Sequence, residues 1–319
     1  MGGKSGVDAG PIRLRLPATS ANLGAGFDAA AIALDFYLDV EAEAAAEFSI
    51  QVTGRDAERC AQLEDNLVLG IYRRLLAENQ RPLVPLAIRM VNEIPLGMGC
   101  GSSAAGRLAA IALAVHFGQL GWRDEEILEE ASALEGHPDN AAACWLGGFA
   151  SAATEGRTVH VARVTPPAQW RAIVALPAEP LATSKARALL PASYSREDVI
   201  ANLQSVGLLG LAFAQGRKDL LRIAMCDRIH QPYRAAICPM LPRLLPLAGQ
   251  AGILGAALSG AGPAILVVVD GEASLAPAAD AIRRALQGMP EPELIVCSFE
   301  SEGTIRTWMR TSQTPATLA

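Results

Sequence analysis

Aromatic residues are scarce in this 319-residue chain, at 5%, and charged residues make up only 19%. Set against 51% hydrophobic residues, so little charge excludes a disordered chain. There is no cationic excess, because 27 Lys and Arg face 33 Asp and Glu, for a formal net charge of −6. That excludes a nucleic-acid binder acting through bulk charge, and no nucleic-acid partner is expected. A phosphate ligand has to be held by local geometry instead. Six cysteines (Cys60, Cys100, Cys144, Cys226, Cys238 and Cys297) form no CxxC pair. A disulfide or zinc framework is therefore not expected, and a reducing, cytoplasmic setting is the default. The opening MGGKSGVDAGPIRLRLP lacks an apolar segment, so no signal peptide is expected. Internal repeats and low-complexity linkers are also missing.

One run lacks charge altogether. Leu244 to Val269 meets the length criterion for a membrane span, about 20 residues. Pro246, Pro263, Gly249, Gly252, Gly255, Gly260 and Gly262 break it up, so it reads better as an element end, a glycine turn and the buried strand Ala264–Val269. No membrane partner is expected. What the chain does have is Ala, Leu and Gly, a composition suited to tight helix–sheet packing. Its length corresponds to about two domains, with a plausible break near Gly156–Arg171.

Alternation or β-rich composition predicts strands at Ile12–Leu16, Leu38–Glu43, Phe48–Thr53, Leu86–Val91, Phe149–Thr154, Val159–Val164, Arg171–Leu176, Ala264–Val269 and Glu293–Ser298. Helical spacing predicts Asn66–Gln80 behind an Asp65 cap, Ser103–Phe117, Glu125–Leu134 behind an Asp124 cap, Arg196–Gln215, Asp219–Cys226, Pro239–Ala248 and Leu275–Gln287. Met1–Gly10 and Thr311–Ala319 read as frayed termini. Strands and helices mix without regular βα alternation, which favours an α+β fold with helices on one side of each sheet.

The most informative segment is PLGMGCGSSAA, Pro95–Ala105. Gly97, Gly99 and Gly101 permit a tight turn with N–H groups pointing one way, and the helix behind them adds unpaired N–H groups and its positive dipole end. Together they form a phosphate cradle without net charge, and a serine hydroxyl there could ligate Mg²⁺. The plainer reading is a glycine turn with a serine N-cap. A Walker loop is excluded because no Lys follows these glycines. Gly99, Gly101 and Ala104 fit a dinucleotide fingerprint, but Asn92–Leu96 separates them from the preceding strand.

Other segments add polar groups. In Pro17–Asp28, Asn22 and Asp28 place an amide and a carboxylate near a strand end, or simply make a turn. In EGHPDN, Glu135–Asn140, Pro138 fits the first helical position with His137 as N-cap. Asp139 then suits the first turn, or else joins Glu135 in a polar cluster around a metal and a reacting hydroxyl. His137 and His230 are better candidates than His116 and His160. TSKAR (Thr183–Arg187) and DRIHQPYR (Asp227–Arg234) each hold an arginine able to clamp a carboxylate, or one that is merely exposed. GAALSGAGP, Gly255–Pro263, permits close backbone approach, or makes a sharp turn.

Taken together, these segments resemble the GHMP kinase family from about Ile12 to Ser298. PATSANLGAGFD, PLGMGCGSSAAG and ALSGAGPA occur in the family's order. Adding EGHPDN, TSKAR and DRIHQPYR narrows the resemblance to the branch that phosphorylates L-homoserine. The resemblance implies a two-lobed α+β fold. Residues 11–160 would form an ATP-binding lobe like the second domain of ribosomal protein S5, and residues 161–310 a ferredoxin-like α/β sandwich, with the site between them and a homodimer as the common state. It implies ATP-dependent phosphorylation of the homoserine hydroxyl, a step of threonine biosynthesis. Pro95, Leu96, Gly97, Met98, Gly99, Cys100, Gly101, Ser102, Ser103, Ala104 and Ala105 would hold the ATP phosphates, and Asn66 would lie near the adenine. Ser103 and Glu135 would ligate Mg²⁺. Asn22, Asp28, His137, Arg187 and Arg234 would form the homoserine pocket, with Asp28 on the ammonium and the arginines on the carboxylate. Asp139, Thr183 and Asn22 would act at the reacting centre, with the base either Asp139 or the γ-phosphate itself. Met98, Cys100, Ala31 and Ala143 depart from the family pattern without removing a ligand. Two alternatives stay open: a GHMP kinase for a mevalonate- or shikimate-like substrate, and a non-catalytic nucleotide-binding protein.

Overall fold

Alternation sets the first strand. Ile12, Leu14 and Leu16 point into the core while Arg13 and Arg15 stay exposed. In the computed structural model, residues 9–308 are described apart from Ala182, without the side chains of Thr183 and Trp308. Most of Met1–Gly10 and all of Thr311–Ala319 therefore lie outside the described residues. β1 (Ile12–Asn22) and β2 (Gly26–Ala44) form a long antiparallel hairpin. β3 (Ser49–Gly54), the single-turn α1 (Ala57–Cys60), α2 (Leu67–Glu78) and β4 (Leu86–Asn92) follow. Next come α3 (Ser102–Gly118), α4 (Asp124–Glu135) and α5 (Asp139–Leu146), then β5 (Phe149–Glu155), β6 (Thr158–Val164) and β7 (Arg171–Leu176). The remaining helices begin with α6 (Thr183–Arg187), α7 (Arg196–Gln215), α8 (Lys218–Ala224), α9 (Gln231–Arg234) and α10 (Leu241–Leu244). β8 (Ile253–Leu258), β9 (Ile265–Val269), α11 (Leu275–Ala285), β10 (Glu293–Cys297) and β11 (Ile305–Trp308) complete the chain.

There are two sheets. The first runs β11-β1-β2-β4-β3, with β5 joined to β2 and β6 to β5; the second runs β10-β7-β9-β8. Among the described residues, only β3–β4 pairs in parallel. Three strands of the second sheet, β7, β8 and β9, are buried on both faces, contrary to the one-sided cover expected. Ile173, Ile265, Val267 and Val269 face α10 and α11, while Val174, Leu266 and Val268 join the main core with Leu209, Phe213 and Leu221 of α7 and α8. A strand buried on both faces needs no alternation, hence its continuous apolar runs. The uncharged Leu244–Val269 run divides into a 3-10 turn, β8 and β9. Among the described residues, no helix is long and apolar enough to cross a membrane.

β2 begins twelve residues before the strand predicted at Leu38. Ala30, Ala31, Ile32, Ala33 and Leu34 are all buried, so no polar face marked the strand. Ala31 and Ala143 pack with Ala21, Ala142, Ala150 and Ala152 in a separate alanine cluster, where α5 lies close on the sheet. Three caps fall one residue from expectation. Asn66, not Asp65, caps α2, because Asp65 is left-handed (φ 55°) while Asn66 is extended and accepts from Val68 N and Leu69 N. Arg123 precedes α4, its N–H donating to Glu126, and Asp124 is the first helical residue. Pro138 precedes α5, which leaves the His137 ring available.

Candidate functional site

The glycine loop is fixed by what packs against it. Gly97, Gly99 and Gly101 have φ of 71°, 84° and 76°, a region costly for any side chain. At Gly99 an added Cβ would lie 2.2 Å from the Ser259 carbonyl oxygen, and at Gly101 2.0 Å from Thr19 Oγ1. These contacts join the three glycine-bearing motifs. Thr19 N donates to Cys100 O (3.1 Å), Ala264 N to Met98 O (3.1 Å) and Gly260 N to Ala21 O (3.0 Å). Ser259 Oγ donates to Gly99 O (2.7 Å) and accepts from Ser20 Oγ (2.8 Å). Thr19 Oγ1 donates to Asn140 Oδ1 at 2.7 Å, tying α5 to the same assembly. The start of α3 follows directly, so its unpaired N–H groups border the cavity.

Two cavities meet at this loop. One, about 360 Å³, is lined by Asn22, Asp28, Ser103, Glu135, His137, Asp139, Arg187 and Arg234 together with the loop glycines. The other, about 390 Å³, is lined by Asn66, Leu67, Met90, Asn92 and Ile94. Gly97, Ser102 and Ser103 border both. A polar chamber thus adjoins a more apolar one across a bed of N–H groups, as a nucleotide and a second small substrate would need. Asn66 lies in the second chamber, but its amide is committed: Nδ2 donates to Cys60 O (3.0 Å) and Gln62 O (2.9 Å).

Within the polar chamber Asp28 and Arg187 form a bidentate pair at 2.9 and 2.7 Å. Arg187's pKa is raised, first by this hydrogen-bonded contact. Asn22 supports the pair from behind, accepting from Asp28 N (3.0 Å) and donating to Gly260 O (2.7 Å). Arg234 is 1% exposed and donates to His230 Nδ1 at 3.1 Å. A guanidinium can only donate, so His230 Nδ1 accepts, and the ring is neutral with Nε2–H donating to Gly24 O at 2.9 Å. Burial pushes the pKa values of His230 and Arg234 down. Phe27 holds both arginines, at 5.7 Å from Arg187 and 5.4 Å from Arg234, and stacks on His230.

In the same chamber, Asp139 Oδ1 accepts from Asn140 N and meets His137 Nδ1, each at 2.6 Å. Among the described residues, Asp139 Oδ2 is buried with no partner. A buried carboxylate oxygen without a donor is costly unless a ligand supplies one. Glu135 ends α4, and Ser103 stands in the first turn of α3. Arg107 Nη1 contacts both Ser103 Oγ and Glu135 Oε1. Asp28, His137 and Asp139 also place ligand-type atoms within 4.8 Å of one another, although Arg187 already occupies Asp28. Thr183 opens α6, and its side chain lies outside the described residues.

The sequence reading missed Arg107, Phe27 and Thr19. Arg107 had a signal, since apart from His116 it is the only ionisable residue in α3, four residues after Ser103. Phe27 and Thr19 had none beyond their place in the first motif, because their roles depend on contacts with α9 and the glycine loop.

Comparison with known proteins agrees with this geometry. Residues 66–148 match the family model described as GHMP kinases N terminal domain, and residues 211–288 the one described as GHMP kinases C terminal. A homoserine kinase of Solibacter usitatus is 44% identical over 80% of this chain and 84% of its own. That of Deinococcus radiodurans is 38% identical over 83% of this chain and 87% of its own. The crystal structure of a homoserine kinase from Cytophaga hutchinsonii superimposes with a TM-score of 0.79 at 24% identity, covering 96% of this chain and all of that one. A mevalonate diphosphate decarboxylase from Staphylococcus aureus shares the fold at a TM-score of 0.65 and 12% identity, so the fold by itself does not choose a substrate. The sequence relatives do narrow the choice, and the chain belongs to the GHMP kinase family, among the homoserine kinases.

Proposed function

We propose that this protein transfers the terminal phosphoryl group of ATP to the side-chain hydroxyl of L-homoserine, giving O-phospho-L-homoserine and ADP. The observation that carries this reading is the Asp28–Arg187 pair, backed by Arg234, in the same chamber as Asp139, whose Oδ2 has no partner among the described residues. A zwitterionic amino acid replaces such a pair without loss. Its ammonium takes Asp28, its carboxylate takes Arg187 and Arg234, and every charge keeps a partner. A hydroxy acid without the ammonium would strand Asp28.

ATP lies with its base in the chamber beside Asn66 and its phosphates on Pro95–Ala105. Residues 11–160 provide that lobe, and residues 161–310 bring Arg187 and Arg234. Ser103 Oγ and Glu135 Oε1 face a common point, shown by the one nitrogen that reaches both. A hydroxyl and a carboxylate suit a hard dication, so these residues fit Mg²⁺. When bound, that ion neutralises phosphate oxygens. Phosphoryl transfer depends mainly on positioning and charge stabilisation. Asp28, Arg187 and Arg234 hold the amino acid, the loop N–H groups hold the phosphates, and Asp139 Oδ2 accepts the hydroxyl proton. Thr183 and Asn22 complete the reacting centre, Asn22 by holding Asp28. A homodimer in the cytoplasm is part of this reading. In support, α7 leaves Ile200, Leu203 and Leu211 exposed on one stripe, and mass measurement in solution tests it.

Coupled ADP release with L-homoserine, mevalonate, shikimate and 4-hydroxybutanoate tests the function. Turnover is expected with homoserine alone. Equal turnover of 4-hydroxybutanoate, which lacks the ammonium, would remove the role given to Asp28.

A further inference from the structure

Arg107 stands where no role has yet been given to it. It lies one turn beyond Ser103 on the same face of α3, and its side chain is largely buried. Its Nη1 spans Ser103 Oγ and Glu135 Oε1, the two groups suited to the metal. It lines the polar chamber beside the glycine loop. The chain has only three lysines; Lys4 lies outside the described residues, and neither Lys185 nor Lys218 lines either chamber. Of the other arginines lining the polar chamber, Arg187 is bound to Asp28, and Arg234 is held by His230 and backbone carbonyls; Arg59 lines the second chamber and is exposed. Among the described residues, Arg107 is thus the arginine of the polar chamber not engaged by the amino-acid pocket.

A guanidinium and a divalent cation cannot share the same hydroxyl and carboxylate oxygens, because their charges repel at contact distance. Filling the metal position therefore expels Arg107 from it. Its stem is fixed to α3, so the freed charge stays within the chamber, where a polyphosphate is the strongest attractor. We propose that Arg107 is a phosphate-binding residue that closes the metal position between Ser103 and Glu135 in the free protein and moves onto the nucleotide phosphates when the nucleotide binds, leaving that position to the ion. This rests on the nucleotide-binding half of the function proposed above. It also offers a chain of net charge −6 a way to receive ATP before the metal is seated.

Two titrations of the intact protein and Arg107→Met test this, neither requiring turnover. Mn²⁺, as a probe of the Mg²⁺ position, is titrated onto nucleotide-free protein, and ATP is titrated in EDTA. A neighbouring unit charge moves such equilibria by about tenfold or more. The variant is therefore expected to bind Mn²⁺ about tenfold tighter and metal-free ATP about tenfold weaker than the wild type. Should Arg107→Met not fold, Arg107→Gln, which can still hydrogen-bond Glu135 but is uncharged, is expected to show both shifts. Both affinities within twofold of wild type, with only the melting temperature lowered, would reduce Arg107 to a strap between α3 and α4 and overturn the inference. Wild-type protein that binds no ATP would overturn this inference together with the function. Wild type that binds ATP and shows both variant shifts, yet phosphorylates no homoserine, would support the role of Arg107 and overturn only the substrate.

Discussion

Asp139 shows how much one residue's meaning depends on its two oxygens. Oδ1 is committed to Asn140 N and His137, and Oδ2 is buried without a partner among the described residues. The helix-start reading of Asp139 accounts for Oδ1 only. Asp139→Asn keeps the shape but removes the acceptor charge, and turnover is expected to fall about 100-fold or more, as for loss of a general base. Single-turnover assays at saturating homoserine measure this; a loss of only a few-fold would assign the proton to the γ-phosphate and leave Asp139 as a positioning residue. Arg107 was hidden at this scale for a physical reason. A lone arginine on an apolar helix reads as a surface residue whose stem lies along the protein. Only the fold brings the end of α4, with Glu135, opposite it.

At the scale of elements, the glycine loop was legible because backbone sterics leave a strong trace. Only glycine suits three left-handed positions in five residues, and small residues must follow where α3 packs closely. Gly101→Ala tests the loop as a unit. The left-handed conformation alone carries a penalty of about 1–3 kcal/mol, and the Cβ would meet Thr19 Oγ1. Nucleotide affinity is expected to drop at least tenfold, with a lower melting temperature, as read by ATP titration and thermal unfolding. Wild-type affinity in this variant would mean that the loop does not hold the phosphates. Strands with one polar face were equally legible, as β1 and β4 show. The first half of β2 was not, because alanines buried on both faces carry no period. Caps slipped by one residue because side-chain identity does not report φ; Asp65 and Asn66 are both good caps, and only Asn66 has the extended backbone a cap needs.

At the scale of the whole molecule, distant segments are joined by contacts no local pattern shows. β11 closes the first sheet against β1, and His230 beside α9 holds the β1–β2 hairpin through Gly24 O. That contact makes stability depend on pH. His230 is neutral when folded and its pKa lies below the ordinary value, chiefly through burial. Below about pH 6.5 the unfolded chain binds a proton that the folded chain refuses. Its contribution is thus complete above that pH and declines as pH falls toward the folded pKa. His116, also lowered by burial, acts in the same direction. The melting temperature is expected to fall from pH 7 to 5, and His230→Gln is expected to flatten part of that slope; an unchanged slope would mean that His230 is not protonated on unfolding. By itself the sequence determined the chemistry on offer: backbone turns that need glycine, and arginines and acids that need partners. Those needs are local, so steric and charge requirements write them into short motifs. Only the tertiary structure decided which groups pair in the free protein, that Asp28 holds Arg187 and that Arg107 bridges Ser103 and Glu135. Such pairings join residues 159 and 28 positions apart, and proximity of that kind arises only from packing.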